Sequence, residues 1–402
     1  MNNKFTVVSL FSGAGGMDLG FVNESFDIIW ANDYDKDAVK TYKNNIGEHI
    51  ILDSITNIDK NIIPDNPDVV IGGFPCQGFS VANTNRSMED KRNYLYKEML
   101  KVVKIKEPKI FLAENVKGLL SMEDGQVIEM IKRDFEKLGY DVEYRLLNAA
   151  DYGVPQYRER VVIIGNKLNQ ENHFPKKTHF DLEDIKRDDN NLKEHITTKE
   201  SIGYLKDVEL SKKPIEYNGK KIYNHIAYTN VSKTYMGRKH EVNQAEICDY
   251  LKKWKKKTDW TVSKIDDCFG YKYTAGHWFR KDNNSGSIPK PEDWWELKKI
   301  LGFDDKYDKA VTEYEEKEVV YEQALRITNW ERPSATITAT GAEIHINKKR
   351  RLSVRECAIL QTFPDNFIFS GSLSSQHRQV GNAVPVLLAS KLAKSVREML
   401  EK

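Results

Sequence analysis

Apolar residues in the first 165 positions fall into short runs without alternation, separated by polar stretches. Phe5–Phe11 (FTVVSLF), Phe26–Ala31 (FDIIWA), Pro67–Gly72 (PDVVIG), Lys109–Ala113 (KIFLA) and Arg160–Ile164 (RVVII) each read as a strand. Runs this short and this apolar suit a sheet buried on both faces. From Gly125 to Leu138 the apolar positions are Val127, Ile128, Ile131, Phe135 and Leu138, which make one face of a helix. Gly139 then stands where a C-terminal cap belongs. Strands alternating with helices predict an α/β fold built on a doubly wound mixed sheet.

The pattern breaks after Gly165. Residues 166–200 are charged and polar, with the run DLEDIKRDDNN, and a domain boundary is expected there. From Ser201 to Trp330 the periodicity is irregular, and Trp254, Trp260, Trp278, Trp294 and Trp295 fall within that stretch. Regular structure returns at the end. Arg332–Thr340 reads as extended chain, Val354–Gln361 as a helix and Pro385–Leu400 as an amphipathic helix.

Composition narrows the class. The 402 residues are enough for two or three domains at ~150 residues each. With 40% hydrophobic and 30% charged residues the chain reads as soluble and globular. No apolar run approaches the ~18 residues of a membrane span, and the N-terminus lacks a secretory pattern. Cys76, Cys248, Cys268 and Cys357 are scattered and form no Cys-x-x-Cys pair. That argues against a zinc site or a disulfide framework and fits a reducing cytoplasm, the expected location. A net charge of +2 does not by itself identify a nucleic-acid partner, so such evidence has to be local.

Four segments carry candidate chemistry. In SLFSGAGGMDLGF (Ser9–Phe21) a strand runs into Gly13, Gly15 and Gly16 before a helix pattern opens near Met17. Glycines there let a ligand approach the backbone beside a helix N-terminus, though a plain strand–helix turn reads the same way. Asp33 follows the second strand and can accept ribose hydroxyls, or be a solvated turn aspartate. Asp53 can meet an adenine amino group or cap a turn. In GGFPCQGFS (Gly72–Ser80), Cys76 follows the third strand, at the edge where open α/β sheets place ligands. Set between Pro75 and Gln77 and flanked by glycines, it reads as a reactive thiol rather than a buried hydrophobe. AENV (Ala113–Val116) puts Glu114 at the end of an apolar strand, where a carboxylate needs a role or a partner. QYRERVVIIG (Gln156–Gly165) opens a strand with Arg158 and Arg160, each of which alone reads as a surface arginine.

Together with RPSATITA (Arg332–Ala339) and QVGNAVPV (Gln379–Val386), these segments resemble, in order and spacing, the motifs of DNA (cytosine-5) methyltransferases of the bacterial restriction–modification kind. The resemblance spans nearly the whole chain except about residues 166–329. It implies a catalytic, cofactor-binding domain of residues 1–165 and 380–402 on the Rossmann-like fold of S-adenosylmethionine-dependent methyltransferases. Residues 166–379 would form a smaller target-recognition domain.

By the same resemblance, the Cys76 thiolate adds to carbon 6 of cytosine and makes carbon 5 reactive, a covalent route that splits one hard step in two. Arg158 and Arg160 would supply positive potential and hold the base's carbonyl, while Glu114 would bond ring nitrogen 3 and the exocyclic amine. S-adenosylmethionine would lie along Phe11, Gly13, Gly15, Gly16 and Leu19. Asp33 would take its ribose, Tyr34 and Asp53 its adenine, Leu95 another edge, and Asn382 its carboxylate end. Asn382 reads equally well as a turn residue before the last helix. If it binds cofactor, that helix has to fold back onto the first domain.

The target base has to leave the duplex, and Ser80–Asp90 resembles the loop that closes over it, with Gln77 and Ser80 at the DNA. Without Cys76 beside it this stretch would read as an ordinary surface loop. YLKKWKKKTDW (Tyr250–Trp260) interleaves lysines with tryptophans and suits phosphate contact through Lys253 and Lys255, or simply a solvated helix face. Arg238, Lys239 and Arg280 are candidates for base-edge contact. Trp278, Trp294 and Trp295 suit the small core of the recognition domain. The expected partners are double-stranded DNA and, functionally, a cognate restriction endonuclease, with the protein monomeric and away from membranes. A tRNA cytosine-5 methyltransferase of the same fold is a weaker reading, because Cys268-Phe269 is followed by Gly270 where that branch has threonine. An inactive DNA-binding regulator is disfavoured by the intact Cys76 and Glu114.

Overall fold

The computed structural model describes residues 4–75, 95–181, 191–229, 236–239, 244–269, 278–279, 288–313, 315–318, 326–339 and 342–402. Seven strands build one sheet: β1 (Thr6–Leu10), β2 (Asp27–Asp33), β3 (Ile50–Leu52), β4 (Val69–Gly72), β5 (Ile110–Val116), β6 (Asp141–Asn148) and β7 (Glu159–Asn166). Their spatial order is β3-β2-β1-β4-β5-β7-β6. The first five pair in parallel, and β7 runs antiparallel to both β5 and β6. The expected doubly wound mixed sheet is therefore present.

Alternate residues of these strands serve two cores. Val7, Val69, Ile71, Ile110, Leu112, Val162 and Ile164 face one layer, and Val8, Leu10, Val70, Phe111, Ala113, Val161 and Ile163 face the other. Both faces are covered, so the strands read as continuous apolar runs rather than as an alternation. Each fully buried aliphatic side chain contributes on the order of 1.5–3 kcal/mol over an exposed one.

Helices α1 (Gly16–Asn23), α2 (Lys36–Asn45), α3 (Leu95–Lys106) and α4 (Gln126–Glu136) connect or follow these strands. Gly125, with φ 86°, precedes α4, and Gly139, with φ 87°, follows it as expected. Further along lie the short strands β8 (His179–Phe180), β9 (Lys193–Glu194), β10 (Ile215–Tyr217) and β11 (Lys220–Ile222), with helix α5 (Thr198–Ile202).

Residues 232–325 make a separate compact unit, the other unit being residues 1–231 with 326–402. Its described elements are β12 (Met236–Lys239) paired antiparallel with β13 (Glu315–Glu318), and helices α6 (Gln244–Lys255), α7 (Val262–Phe269), α8 (Pro291–Leu301) and α9 (Asp308–Thr312). Its core gathers Trp278, Trp294, Leu251, Ile265, Leu297 and Val311. Trp278 and Trp294 are buried as expected, whereas Trp295 is 43% exposed.

The chain then returns to the first unit with α10 (Val354–Leu360), α11 (Leu373–Asn382) and α12 (Val386–Leu400). Ser353 caps α10 in a reciprocal capping box with Glu356, which also pairs with the buried Arg350. Helix α12 folds back onto α1: Ser390 Oγ donates to the Gly20 carbonyl, and Arg397 donates to that of Glu24. Leu388, Leu392, Val396 and Met399 join the core that holds Val7 and Ile71. Among the described residues no helix is long and apolar enough to cross a membrane.

Candidate active site

Strand register explains where the chemistry collects. Leu10 pairs with Gly72, Gly72 with Ala113, and Val116 with Arg160, so the ends of β1, β4 and β5 share one rim with the start of β7. A cavity of about 610 Å³ opens at that rim. Its lining includes Phe11, Gly13, Gly16, Asp33, Tyr34, Glu114, Arg158, Arg160 and Asn382, together with Gly73, Phe74 and Pro75. That size falls in the ~300–1,000 Å³ range usual for small-molecule sites.

The floor is the turn after β1. Phe11 sits at φ 55° and Gly15 at φ 88°, so the chain reverses sharply into α1. Helix α1 has no side-chain N-cap bond, which leaves the positive end of its dipole to whatever occupies the cavity. Gly15 is not among the lining residues. Its backbone takes a left-handed turn, and a Cβ there would meet Ile46 at 2.2 Å. A Cβ on Gly16 would meet the Val384 carbonyl at 2.5 Å, because the segment before α12 closes over this turn.

Asp33 ends β2 with both carboxylate oxygens engaged. Gly13 N donates to Oδ2 and Asp35 N to Oδ1, each at 2.8 Å. Burial raises its pKa against the pull of those amides. Tyr34 beside it is 72% exposed, so its ring offers a flat apolar face at the cavity wall.

On the other side, Arg160 Nε meets Glu114 Oε1 at 2.9 Å, both side chains largely buried. A Cβ on Gly73 would lie 3.3 Å from Glu114 Oε2, so glycine keeps that oxygen accessible beside the β4 end. Asn115 Nδ2 donates to the Phe74 carbonyl at 2.9 Å and fixes the stretch that leads to Cys76. Arg158 is fully buried and spends its guanidinium on carbonyls: Nη1 bonds Ile337, and Nη2 bonds Gly381 and Ala383. It ties the β6–β7 connection to the last two motif segments, although it also borders the cavity.

Other expected residues stand apart from the lining. Asp53 accepts from Ser54 N and Asn57 Nδ2, the geometry of a turn cap. Leu19 packs on the core around α10, and Leu95 opens α3 against the core of Val70 and Phe111. Asn382 closes α11. Cys76, Gln77, Ser80 and Arg280 lie outside the described residues. Arg238 and Lys239 belong to β12, and only their backbone is described. Lys253 is exposed on α6, while Lys255 is half-buried with Nζ 5.8 Å from the Phe279 ring centroid.

Among the lining residues to which the sequence assigns no role are Asp18, Asn115 and Arg378. Only Asp18 leaves a signal there, as an acid inside an apolar helix start. It is fully buried, with Oδ1 accepting from Tyr42 Oη at 2.9 Å. Burial pushes its carboxyl from 3.8 up to about 6, against hydrogen bonds from Ser9 and Tyr42. A folded-state value above the unfolded one means that this group's stabilisation is complete below 3.8 and is lost as pH rises to about 6. Asp18→Asn is expected to flatten that part of the stability–pH curve, as read by urea denaturation at a series of pH values. An unchanged slope in the variant would contradict the assignment.

Comparison with known proteins gives a consistent result. A family model for C-5 cytosine-specific DNA methylases matches residues 5–398. The Type II methyltransferase M.NgoFVII of Neisseria gonorrhoeae is 33% identical over 403 residues, covering 98% of this chain and 87% of that protein. M1.HphI of Haemophilus parahaemolyticus is 32% identical over 405 residues with the same coverage. Among solved structures, one described as a prophage-encoded DNA modification methyltransferase of E. coli superposes with a TM-score of 0.61. It shares 21% identity, spans 99% of this chain and all of its own, and bears on the fold.

Proposed function

The chain belongs to the C-5 cytosine-specific DNA methylases, and we propose that it transfers the methyl group of S-adenosylmethionine to a flipped-out cytosine through Cys76. The observation that carries this reading is the cavity itself, which joins the glycine turn, Asp33 and the Glu114–Arg160 pair on one rim.

The residues present fit the donor. The uncapped end of α1 suits a carboxylate, Asp33 suits a pair of ribose hydroxyls, and Phe11 and Tyr34 offer rings to an adenine. Bound there, S-adenosylmethionine supplies an electrophilic methyl group. Cys76 directly follows Pro75 in the sequence, and Pro75 lines the cavity. As a thiolate it adds to carbon 6 of the base, and carbon 5 then has the electrons to take the methyl group. Glu114 receives the base's nitrogen 3 and amine, and Arg160 holds that carboxylate in place. A base takes the carbon 5 proton, and the electron pair left behind re-forms the ring double bond and expels the Cys76 sulfur as a thiolate. Arg158 acts in this scheme by fixing the closing segments through Nη1 and Nη2.

Target reading belongs to residues 166–379, of which residues 232–325 form a compact unit with α6 carrying the lysine run. Replacing Lys253 and Lys255 by alanine is expected to lower the slope of log affinity against log salt by about one unit for each DNA phosphate that is no longer neutralised. An unaltered slope would mark them as a solvated face. The relatives named as Type II methyltransferases support a protective role in a restriction–modification system. The substrate is double-stranded DNA, the endonuclease is a functional rather than a physical partner, and the enzyme acts as a cytoplasmic monomer. Methylation sequencing of DNA from cells expressing the protein should find 5-methylcytosine at one recurring short sequence, and its absence everywhere would overturn the proposal.

A further inference from the structure

Asp33 is held in place from an unexpected direction. Arg378, on α11, borders the same cavity, and its Nη2 donates to Asp35 Oδ2 at 2.8 Å and to Ser375 Oγ at 3.5 Å. Asp35 uses its other oxygen as the N-cap of α2, accepting from Asp37 N and Ala38 N. Its own backbone N–H donates to Asp33 Oδ1. One chain of contacts therefore runs from the guanidinium to Asp35, from Asp35 to Asp33, and from Asp33 Oδ2 to Gly13 N in the floor. Residues 343 positions apart share this arrangement, so the direction in which Asp33 presents its carboxylate depends on a late segment of the chain.

We propose that Arg378 is a positioning residue for the methyl donor: by holding Asp35 it sets the orientation of Asp33 toward the donor's ribose. This rests on the reading that Asp33 takes the ribose hydroxyls. Asp35 makes the link specific because it has two separable duties. The helix cap uses Oδ1 and the ion pair uses Oδ2, so removing the guanidinium leaves α2 capped but releases from α11 the Asp33–Asp35 turn, whose backbone N–H holds Asp33 Oδ1. The arginine side chain is 47% exposed, so the pair is screened by solvent and its effect is a modest factor that salt diminishes.

A purely architectural role, pinning α11 to α2, would weaken every ligand alike. The test is calorimetric titration of the full-length protein with S-adenosylhomocysteine and with its analogue lacking both ribose hydroxyls. Wild type should prefer the parent compound. Arg378→Ala should weaken the parent about threefold and leave the analogue unchanged, so that the preference shrinks by that factor. Arg378→Lys should recover most of it, and about 0.5 M salt should reproduce the loss in wild type. Arg378→Gln serves if the alanine variant does not fold. Equal weakening of both ligands, or no weakening of either, overturns the proposal. If wild type itself does not distinguish the two ligands, the ribose role of Asp33 fails first, and that outcome is separable from the others.

Discussion

Cys76→Ala is expected to lower methyl transfer by roughly 10⁴-fold or more, the scale on which a covalent nucleophile is missed. Carbon 5 of cytosine is a poor nucleophile on its own, and among the described residues of the rim none offers a thiol that could raise its electron density. Donor binding should be retained, because Phe11, Gly13, Gly16, Asp33 and Asn382 reach the cavity from other elements. Radiolabelled methyl incorporation into duplex DNA measures the loss, and titration with S-adenosylhomocysteine measures what is kept. A second readout is covalent: wild type should form a stable adduct with DNA containing 5-fluorocytosine at the target, and the variant should form none. Turnover by the variant at the wild-type rate would remove Cys76 from the mechanism.

Glu114→Gln should cost both rate and stability. The substitution keeps the shape and removes the charge, so the side chain no longer offers the proton or the paired acceptor that the base requires. Positioned acid–base groups contribute about 10²–10⁴-fold, and a fall of that size in turnover is expected. Arg160 then lies largely buried without its carboxylate, although a carbonyl contact to Glu159 remains. Breaking a buried pair from one side costs on the order of 3 kcal/mol. Thermal melting gives the second number, and turnover should be read well below the variant's transition so that the two effects stay separate. A variant that turns over normally but melts early would make Glu114 a structural anchor only.

Much of this site is legible in the sequence for a physical reason. Strands covered on both faces are continuous apolar runs, and their ends are marked by abrupt polar or glycine positions. β1, β2, β4, β5 and β7 are read that way, with Glu114 and the glycine turn at their ends. β6 escapes because it is an edge strand with one face half open, so Glu143, Tyr144 and Arg145 interrupt the run. β3 escapes because three residues make no pattern. α11 escapes because SSQHRQVGN buries polar groups: Gln379 is bonded to Thr41 and to the Ser370 carbonyl, and no apolar stripe announces the helix.

Arg158 shows the opposite limit. Its sequence neighbourhood gives it a surface or catalytic character, whereas its surroundings use it as a clamp on three carbonyls more than 170 positions away. Asp53 shows another, since a turn cap and an adenine contact look alike in the sequence, and the structure adds that its Oδ1 accepts from Ser54 and Asn57. Contacts across such separations leave no local trace.

The closure of α12 onto α1 has a bearing on biosynthesis. The wall that faces the glycine turn is made by residues 378–384, and the helix that seals it packs beneath them. A nascent chain on the ribosome therefore carries Cys76 and Glu114 long before α12 can close that wall, and donor binding is expected only after α12 has emerged from the exit tunnel. Fragments stopping short of residue 378 should be silent even when supplied in excess, whereas a separately produced piece containing α11 and α12 should restore activity by docking onto them.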